Sequence, residues 1–339
     1  MPKLYLNDYR KTLEGKEIFI ACREGILRNY LNHIITDIKF LCRQNINTSL
    51  FHNISNRFAN QKLFRELSSK LYQTKIIRVP SNVAFYPFVL DYSPPPHKIV
   101  FIERTHLLGP DGYPINSLTT QKAREQLHSY RDMISNENFK ENITTICHKI
   151  ENNYIDRVHI VPAGKSCIKN ELFSIEGSGT LIANNFNETF SPVQTENDIQ
   201  MIITILKHYR NQGYLKPRDK AYVNAHKKCF YVSRIDQIIV GCAEKIPVDP
   251  NTVELGSLAV STRFRKHQIG HFIIKAFEKE MKLSGIDTII SLTRNPLLKK
   301  IFAQLGYDQE SPKRYGNRQN QSPQSKMFIK TLNDELSEV

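Results

Sequence analysis

The 339-residue chain is 40% hydrophobic and 24% charged, a composition that is typical of a globular protein and excludes a largely disordered one. Its net charge of +14 is spread along the chain without a basic tail, so we expect small anionic ligands and not nucleic acid. No apolar run approaches the roughly 18 residues of a membrane span, the N-terminus lacks a signal-peptide core, and the six cysteines have no CxxC spacing. These features predict a cytoplasmic protein with reduced thiols and without a membrane segment or a bound metal.

The first half of the chain alternates strand-like and helix-like segments. Short runs of β-branched and aromatic residues predict strands, and apolar residues at helical spacing predict helices. This alternation indicates a layered α/β domain at 1–185 with helices on the faces of a sheet. The predicted strands are 17–22, 48–54, 75–79, 98–103 and 157–161, and the predicted helices are 26–42, 64–72 and 120–134.

A polar run at 182–198 separates this half from a second domain, which we place at 190–339. The second domain begins with a helix and continues as a meander of strands. The predicted helices are 198–213, 269–283 and 296–307, and the predicted strands are 229–235, 237–246, 252–260 and 287–292.

A basic turn joins the strand 252–260 to the helix 269–283. The turn reads "STRFRKHQIG" and brings basic side chains and Gly270 to the start of the helix. Backbone N–H groups at a helix N-terminus bind anions such as phosphate. The alternative is a solvated basic turn without a ligand.

Two motifs resemble those of GNAT acetyltransferases. The stretch 258–277 is similar to the family's coenzyme A motif, Arg/Gln-x-x-Gly-x-Gly/Ala, with Gln268 where the family has its first glycine. The stretch 295–307 is similar to the second motif, Asn-x-x-Ala-x-x-x-Tyr-x-x-x-Gly-Phe, with Phe302 where the family has tyrosine. The resemblance implies the α+β fold of that family for 190–339. It also implies an acetyl-CoA site formed by Leu258, Val260, Arg265, Lys266, His267, Gln268, Ile269, Gly270, His271, Asn295 and Phe302.

A narrower resemblance, to the bacterial N-acetylglutamate synthases, covers nearly the whole chain. In that family an amino-acid-kinase-like domain precedes a GNAT domain. The first domain here is shorter than the family's, and residues 21–27 lack the glycine pair and lysine that amino-acid kinases use around phosphate. We therefore expect a truncated, degenerate kinase-like domain without phosphoryl transfer. The similar segments are 106–119, 156–161, 170–182, 213–219, 238–247, 253–260 and 324–332.

This resemblance implies acetylation of the α-amine of an amino acid, with glutamate first, which is the first step of arginine biosynthesis. Cationic side chains would bind the substrate's carboxylates, and the candidates for the substrate site are Arg218, Ser257, Arg294, Ser325 and Lys326. The family's closing motif has an arginine where this chain has Pro323. Two alternatives therefore stay open: another amine, such as a peptide or polyamine, and a non-catalytic protein that binds coenzyme A or a partner.

Glu254 is the candidate catalytic base. It lies four residues before Leu258 on a predicted strand, so strict alternation places both side chains on one face of the sheet. The synthase family has a glutamate at this point of its Glu-Leu-x-x-Leu-Ala-Val segment.

The kinase-like domain also carries a candidate regulatory site. In arginine-sensitive synthases a histidine, a glutamate and a glycine hold the inhibitor, and the matching positions are His159, Glu171 and Gly177. A carboxylate pairs well with the guanidinium of free arginine. The alternative is a domain that serves only as a scaffold for a homo-oligomer.

Overall fold

The computed structural model of the chain describes residues 6–55, 60–109, 112–125, 139–174, 176–184, 186, 189–235, 238–264, 268–310, 315, 318 and 323–332. The chain forms two compact units, Met1–Phe186 and Asn187–Val339. In the described residues no helix is long and apolar enough to cross a membrane.

The first unit is built on a sheet of seven described strands in the order β3-β2-β1-β4-β6-β7-β5. The strands from β3 to β6 in this order are parallel, and β7 is antiparallel to β6. The residues of β4 are all buried, as expected for a parallel strand covered on both faces. The strands are β1 (Glu17–Cys22), β2 (Asn47–His52), β3 (Lys75–Arg78), β4 (Lys98–Glu103), β5 (Ser117–Thr119), β6 (Arg157–Pro162) and β7 (Thr180–Ala183).

Helices connect these strands. The predicted helix 120–134 is described only over its first residues, because 126–134 lie outside the described part of the chain. The segment 170–182, one of those similar to the synthase family, begins inside a helix, where Ile168 and Leu172 are buried at helical spacing. The helices are α1 (Leu6–Leu13), α2 (Glu24–Arg43), α3 (Gln61–Lys70), α4 (Phe85–Leu90), α5 (Thr120–Glu125), α6 (Phe139–Glu151) and α7 (Cys167–Phe173).

The second unit is built on another sheet of seven described strands, in the order β13-β14-β12-β11-β10-β9-β8. Its pairs are antiparallel except β11 with β12, which are parallel. The ladder between those two ends at Glu254 and Ile290, so β12 does not pair with the later part of β11. The strands are β8 (Thr189–Pro192), β9 (Phe230–Ile235), β10 (Ile238–Asp249), β11 (Thr252–Val260), β12 (Thr288–Thr293), β13 (Asp308–Glu310) and β14 (Lys326–Thr331).

Four described helices complete this unit: α8 (Glu196–Asn211), α9 (Lys220–Ala225), α10 (Ile269–Leu283) and α11 (Pro296–Gln304). A capping box between Thr195 and Asp198 fixes the start of α8. The helix α10 has the predicted bounds, and Ile273 and Phe277 on its apolar stripe are fully buried.

A β-bulge interrupts β11 at Ser257. Glu244 of β10 is opposite Gly256 and Cys242 is opposite Ala259, so two residues of β11 face one residue of β10. Ser257 adopts a left-handed backbone conformation with φ of 45°. The extra residue breaks the alternation of side chains along β11, which decides the geometry of the site.

Candidate functional site

A large cleft of about 730 Å³ lies in the second unit, beside the end of β11 and the first turns of α10 and α11. Six residues that the sequence assigned to the cofactor line it: Leu258, Val260, Gln268, Gly270, His271 and Asn295. The basic residues Arg265, Lys266 and His267, which we assigned to the same site, lie outside the described residues.

The first turn of α10 is open to the cleft. Gln268 precedes the helix in a left-handed conformation, and its side chain makes no capping hydrogen bond. A Cβ built on Gly270 would come no closer than 3.7 Å to the Ile301 side chain, so the glycine is not required by packing inside the unit. It keeps the helix start accessible to a ligand, as an anion site needs.

Three predicted cofactor residues have structural contacts. The side chain of Ile269 is fully buried in the core, so only its backbone can reach a ligand. Asn295 is the N-cap of α11 and accepts a hydrogen bond from the Leu297 amide at 3.0 Å. Phe302 is fully buried against Tyr307 and Phe328, at ring-centroid distances of 4.9 and 5.4 Å. The assignment of Phe302 to the cleft wall is therefore corrected: its position in α11 faces the sheet.

Tyr209, which the sequence did not indicate, occupies the edge of β11 in the cleft. Its hydroxyl donates to the Val260 carbonyl oxygen at 2.8 Å and accepts from the Val260 amide at 3.3 Å. These backbone groups lie beyond the point where β12 stops pairing with β11. A side chain of α8 thus occupies the backbone hydrogen-bonding groups of Val260 at the edge of β11.

A smaller cavity of about 230 Å³ meets the cleft at Tyr214, which lines both. Four residues that the sequence assigned to catalysis or to the substrate line it: Arg218, Glu254, Ser257 and Ser325. Lys216 and Arg318 add positive charge to its wall.

Glu254 and Leu258 line different cavities, Glu254 the smaller one and Leu258 the cleft. Strict alternation predicted one face for both, and that prediction is wrong because the bulge at Ser257 inserts an extra residue between them. Glu254 lines the small cavity together with Ser257 and Arg218.

Arg318 binds the Glu254 carboxylate. Its Nε donates to Glu254 Oε2 at 2.7 Å, and a terminal nitrogen contacts the same oxygen. Glu254 is only 8% exposed. No sequence pattern indicates this pair, because the two residues are 64 positions apart.

The other two substrate candidates do not line the small cavity among its described residues. Arg294 donates to the Gln324 side chain at 3.0 Å, and Lys326 begins β14 opposite Thr293. The small cavity therefore has Arg218, Arg318 and Lys216 as its described cations.

Glu244, another residue that the sequence did not indicate, is buried behind this wall with 1% exposure. It accepts hydrogen bonds from Ser257 Oγ at 2.5 Å, Tyr222 Oη at 2.6 Å and Arg218 Nε at 3.2 Å. Burial, together with the hydrogen bond to Glu244, raises the pKa of Tyr222 to about 12. The Tyr222 hydroxyl is therefore protonated at neutral pH and donates to Glu244.

The predicted regulatory residues lie in the first unit. His159 and Glu171 are in contact, with 2.6 Å between Nδ1 and Oε1. The other Glu171 oxygen accepts from the Ser178 and Gly179 amides at 2.7 and 2.8 Å, and the Glu171 side chain is fully buried. Gly177 has a positive φ of 66° in the same turn. Glu171 thus anchors the turn that leads into β7.

Comparisons with known proteins identify the fold of the second unit. Residues 199–307 match the sequence model of the Acetyltransferase (GNAT) family. The second unit has the GNAT fold. The N-acetylglutamate synthase of Neisseria gonorrhoeae, solved in complex with coenzyme A and L-arginine, aligns with 97% of this chain and 98% of its own, with a TM-score of 0.56 and 16% identity. The predicted fold class, a kinase-like α/β domain followed by a GNAT domain, is confirmed.

Two curated relatives carry the name amino-acid acetyltransferase. The protein of Mannheimia succiniciproducens is 24% identical over 248 residues, which are 70% of this chain and 55% of that protein. The protein of Pasteurella multocida is 24% identical over 182 residues, 52% of this chain and 41% of that protein. The chain thus spans about half the length of the curated relatives that it matches, and the predicted resemblance to this family is confirmed.

The described residues include no cluster of three or more histidine, cysteine, aspartate or glutamate side chains suited to a metal ion.

Proposed function

We propose that the chain is an acetyl-CoA-dependent N-acetyltransferase that acts on the α-amine of glutamate. The observation that carries this proposal is the meeting of two cavities at Tyr214. One has the open helix start that suits a phosphorylated cofactor, and the other has a carboxylate beside two guanidinium groups. The names of the curated relatives support the same reaction.

The cleft residues fit the parts of acetyl-CoA. The amides of the first turn of α10 would bind the pyrophosphate, because they lie at the positive end of the helix dipole. The backbone of β11 near Val260 would pair with the amides of the pantetheine arm, once Tyr209 releases it. When bound, the cofactor supplies the acetyl thioester.

Glu254 would act as the general base. An amino acid's ammonium group must lose a proton before its nitrogen attacks the thioester carbon, and a carboxylate in the wall of the small cavity would accept that proton directly or through one water. Arg318 holds the carboxylate in place. The nitrogen then attacks the thioester carbon, loses its second proton to solvent, and forms the amide bond as the C–S bond breaks. The leaving thiolate takes its proton from solvent, because the family's tyrosine is replaced by the buried Phe302.

Arg218 and Arg318 would bind the two carboxylates of glutamate, since a guanidinium fork matches a carboxylate in geometry and charge. Arg318 would thereby take over from the arginine that Pro323 replaces. Both arginines line the small cavity.

One observation favours a different amine. Arg218 and Arg318 already contact the carboxylates of Glu244 and Glu254, so part of their charge is neutralised within the protein. A substrate with fewer carboxylates, such as a peptide N-terminus or a polyamine, would need less positive charge.

An amine screen with acetyl-CoA, followed by release of the free thiol, tests these proposals. We expect turnover with glutamate above that with other amino acids. Turnover confined to peptides or polyamines would select the second substrate class. Absence of turnover with every amine would contradict an enzymatic function and leave coenzyme A binding to be measured by calorimetry.

We also propose arginine as a regulatory ligand of the first unit, because the Neisseria gonorrhoeae synthase was solved with L-arginine and because His159 and Glu171 are in contact here. To pair with Glu171 Oε2, the guanidinium of arginine must displace the Ser178 and Gly179 amides that donate to this oxygen. A thermal-shift titration should show a rise in Tm with arginine that Glu171→Ala removes. A parent protein without such a rise contradicts this proposal.

A further inference from the structure

Glu244 joins three elements of the second unit through one carboxylate. Its donors come from the loop before α9 (Arg218), from α9 itself (Tyr222) and from the bulge of β11 (Ser257). The register places Glu244 directly opposite Gly256, beside that bulge. Because the carboxylate is 1% exposed, each of these hydrogen bonds is shielded from water and correspondingly strong.

All three partners of Glu244 line the small cavity, whereas Glu244 is not among the described residues that line it. Glu244 therefore lies behind the wall of the cavity, and Arg218, Tyr222 and Ser257 are the side chains that stand between its carboxylate and a bound amine. This arrangement differs from that of Glu254, which lies in the wall.

Arg218 is held on two sides. Its Nε–H points at Glu244, and its guanidinium carbon lies 4.1 Å from the centroid of the Tyr222 ring. That ring is itself fixed, because its hydroxyl donates to Glu244 and its plane stacks on His226 at 4.2 Å. A guanidinium that is bound through Nε keeps its terminal nitrogens for another carboxylate.

We propose that Glu244 is a positioning residue of the amine site: it orients Arg218, Tyr222 and Ser257, and through Arg218 it sets the affinity for the carboxylate of the substrate. This inference deepens the proposed function and rests on it. Glu244 touches neither the cofactor nor the reacting nitrogen, so it governs substrate binding and not the chemical step.

Glu244→Gln is the test, because glutamine keeps the shape and removes the charge. We expect the KM for glutamate to rise about tenfold or more, while kcat and the KM for acetyl-CoA stay within a factor of about three. Glu278→Gln is the matched control, since Glu278 pairs with Lys330 in the same unit at 2.9 Å and is not among the described residues that line either cavity. A fall in kcat at unchanged KM would overturn the proposal.

A second measurement does not depend on turnover. The exchange of the Arg218 Nε proton with solvent can be followed by NMR, with the signal assigned by its loss in Arg218→Lys. We expect exchange at least about tenfold faster in Glu244→Gln than in the parent or in Glu278→Gln. Equal exchange in all three proteins would refute the positioning role, even if the parent proved inactive on glutamate and the proposed function failed.

Tyr222→Phe is a milder variant for use where Glu244→Gln does not fold. It removes one donor to Glu244 and keeps the ring under the guanidinium. We expect a rise of a few-fold in the KM for glutamate and a smaller acceleration of Nε exchange. An unchanged KM together with unchanged exchange would count against the proposal.

Discussion

Glu254 lines the small cavity, and its side chain has a single described partner group, the guanidinium of Arg318. Glu254→Gln keeps the size of the side chain and removes the proton acceptor. We expect turnover at neutral pH to fall about a hundredfold or more, with acetyl-CoA affinity nearly unchanged. Steady-state rates from pH 6 to 9 and calorimetry with acetyl-CoA measure the two effects. A variant within a few-fold of the parent rate across that range would exclude Glu254 as the base.

His52 is a second residue whose protonation matters, in the first unit. Burial, assisted by the positive charge of Arg78, lowers its pKa from 6.5 to about 4. Since the unfolded chain binds the proton more tightly, neutral His52 stabilises the fold above about pH 6.5, and this contribution is lost as the pH falls towards 4.

The expected loss between pH 7 and pH 5 is at most about 2 kcal/mol of unfolding free energy. Urea unfolding at both pH values measures it. His52 Nδ1 accepts a hydrogen bond from the Ile54 amide, and the side-chain oxygen of His52→Asn can serve as the acceptor in its place. The variant should show a smaller difference in unfolding free energy between the two pH values. An equal difference in parent and variant would mean that other groups cause the acid sensitivity.

At this scale the sequence predicted which residue types the site contains, but not their partners. Arg218 and Glu254 were found because they lie within recognisable segments. Arg318 and Glu244 were not, because their contacts join positions 64 and 26 residues apart. Phe302 was misplaced because a motif position does not indicate whether its side chain faces the ligand or the core.

Among the elements, α10 was predicted with its bounds because its apolar stripe and its preceding turn both mark the helix. The helix α4 was not predicted, since its sequence contains Pro87; the proline lies in the first turn, where its missing N–H leaves no hydrogen bond unmade. The bulge in β11 was missed because the apolar pattern of 253–260 is compatible with a regular strand.

The start of α10 gives a prediction with a matched pair of variants. Gly270→Asp places negative charge beside the proposed phosphate site and should weaken acetyl-CoA binding by about tenfold or more. Gly270→Ala adds only a methyl group, for which the neighbouring Ile301 side chain leaves ordinary van der Waals space, and should bind acetyl-CoA within a few-fold of the parent. Calorimetry on both variants decides: tight binding by the folded aspartate variant would show that the loop does not hold phosphate.

The contact between α8 and the edge of β11 gives another testable prediction. Tyr209→Phe removes the hydroxyl that pairs with the Val260 amide and carbonyl, so the proposed pantetheine partner groups no longer have to be released. We expect acetyl-CoA affinity to rise by a few-fold with kcat little changed. Val260 is unchanged in this variant, so a change in affinity reports the effect of the Tyr209 hydroxyl alone. A weaker affinity would instead make the hydroxyl a direct ligand of the cofactor.

Across the whole molecule, the order of strands and helices predicted the class of the first unit, and the resemblance of two motifs to the GNAT family predicted that of the second. In the first unit the alternation of 17–22, 26–42 and 48–54 corresponds to β1, α2 and β2 of a parallel sheet. The pairing of β7 with β5, which are separated along the chain by β6, was not predictable, because it depends on tertiary packing and not on local pattern.

The meeting of the two cavities at Tyr214 has a kinetic consequence. Apart from that tyrosine, the described residues that line the cleft and those that line the small cavity are different. Occupation of one compartment therefore leaves room in the other, and acetyl transfer can pass directly between two molecules that are bound together. Initial rates measured against both substrates should give double-reciprocal lines that intersect. Parallel lines would instead indicate that the acetyl group is first transferred covalently to the protein. Free coenzyme A would then be released before the amine binds.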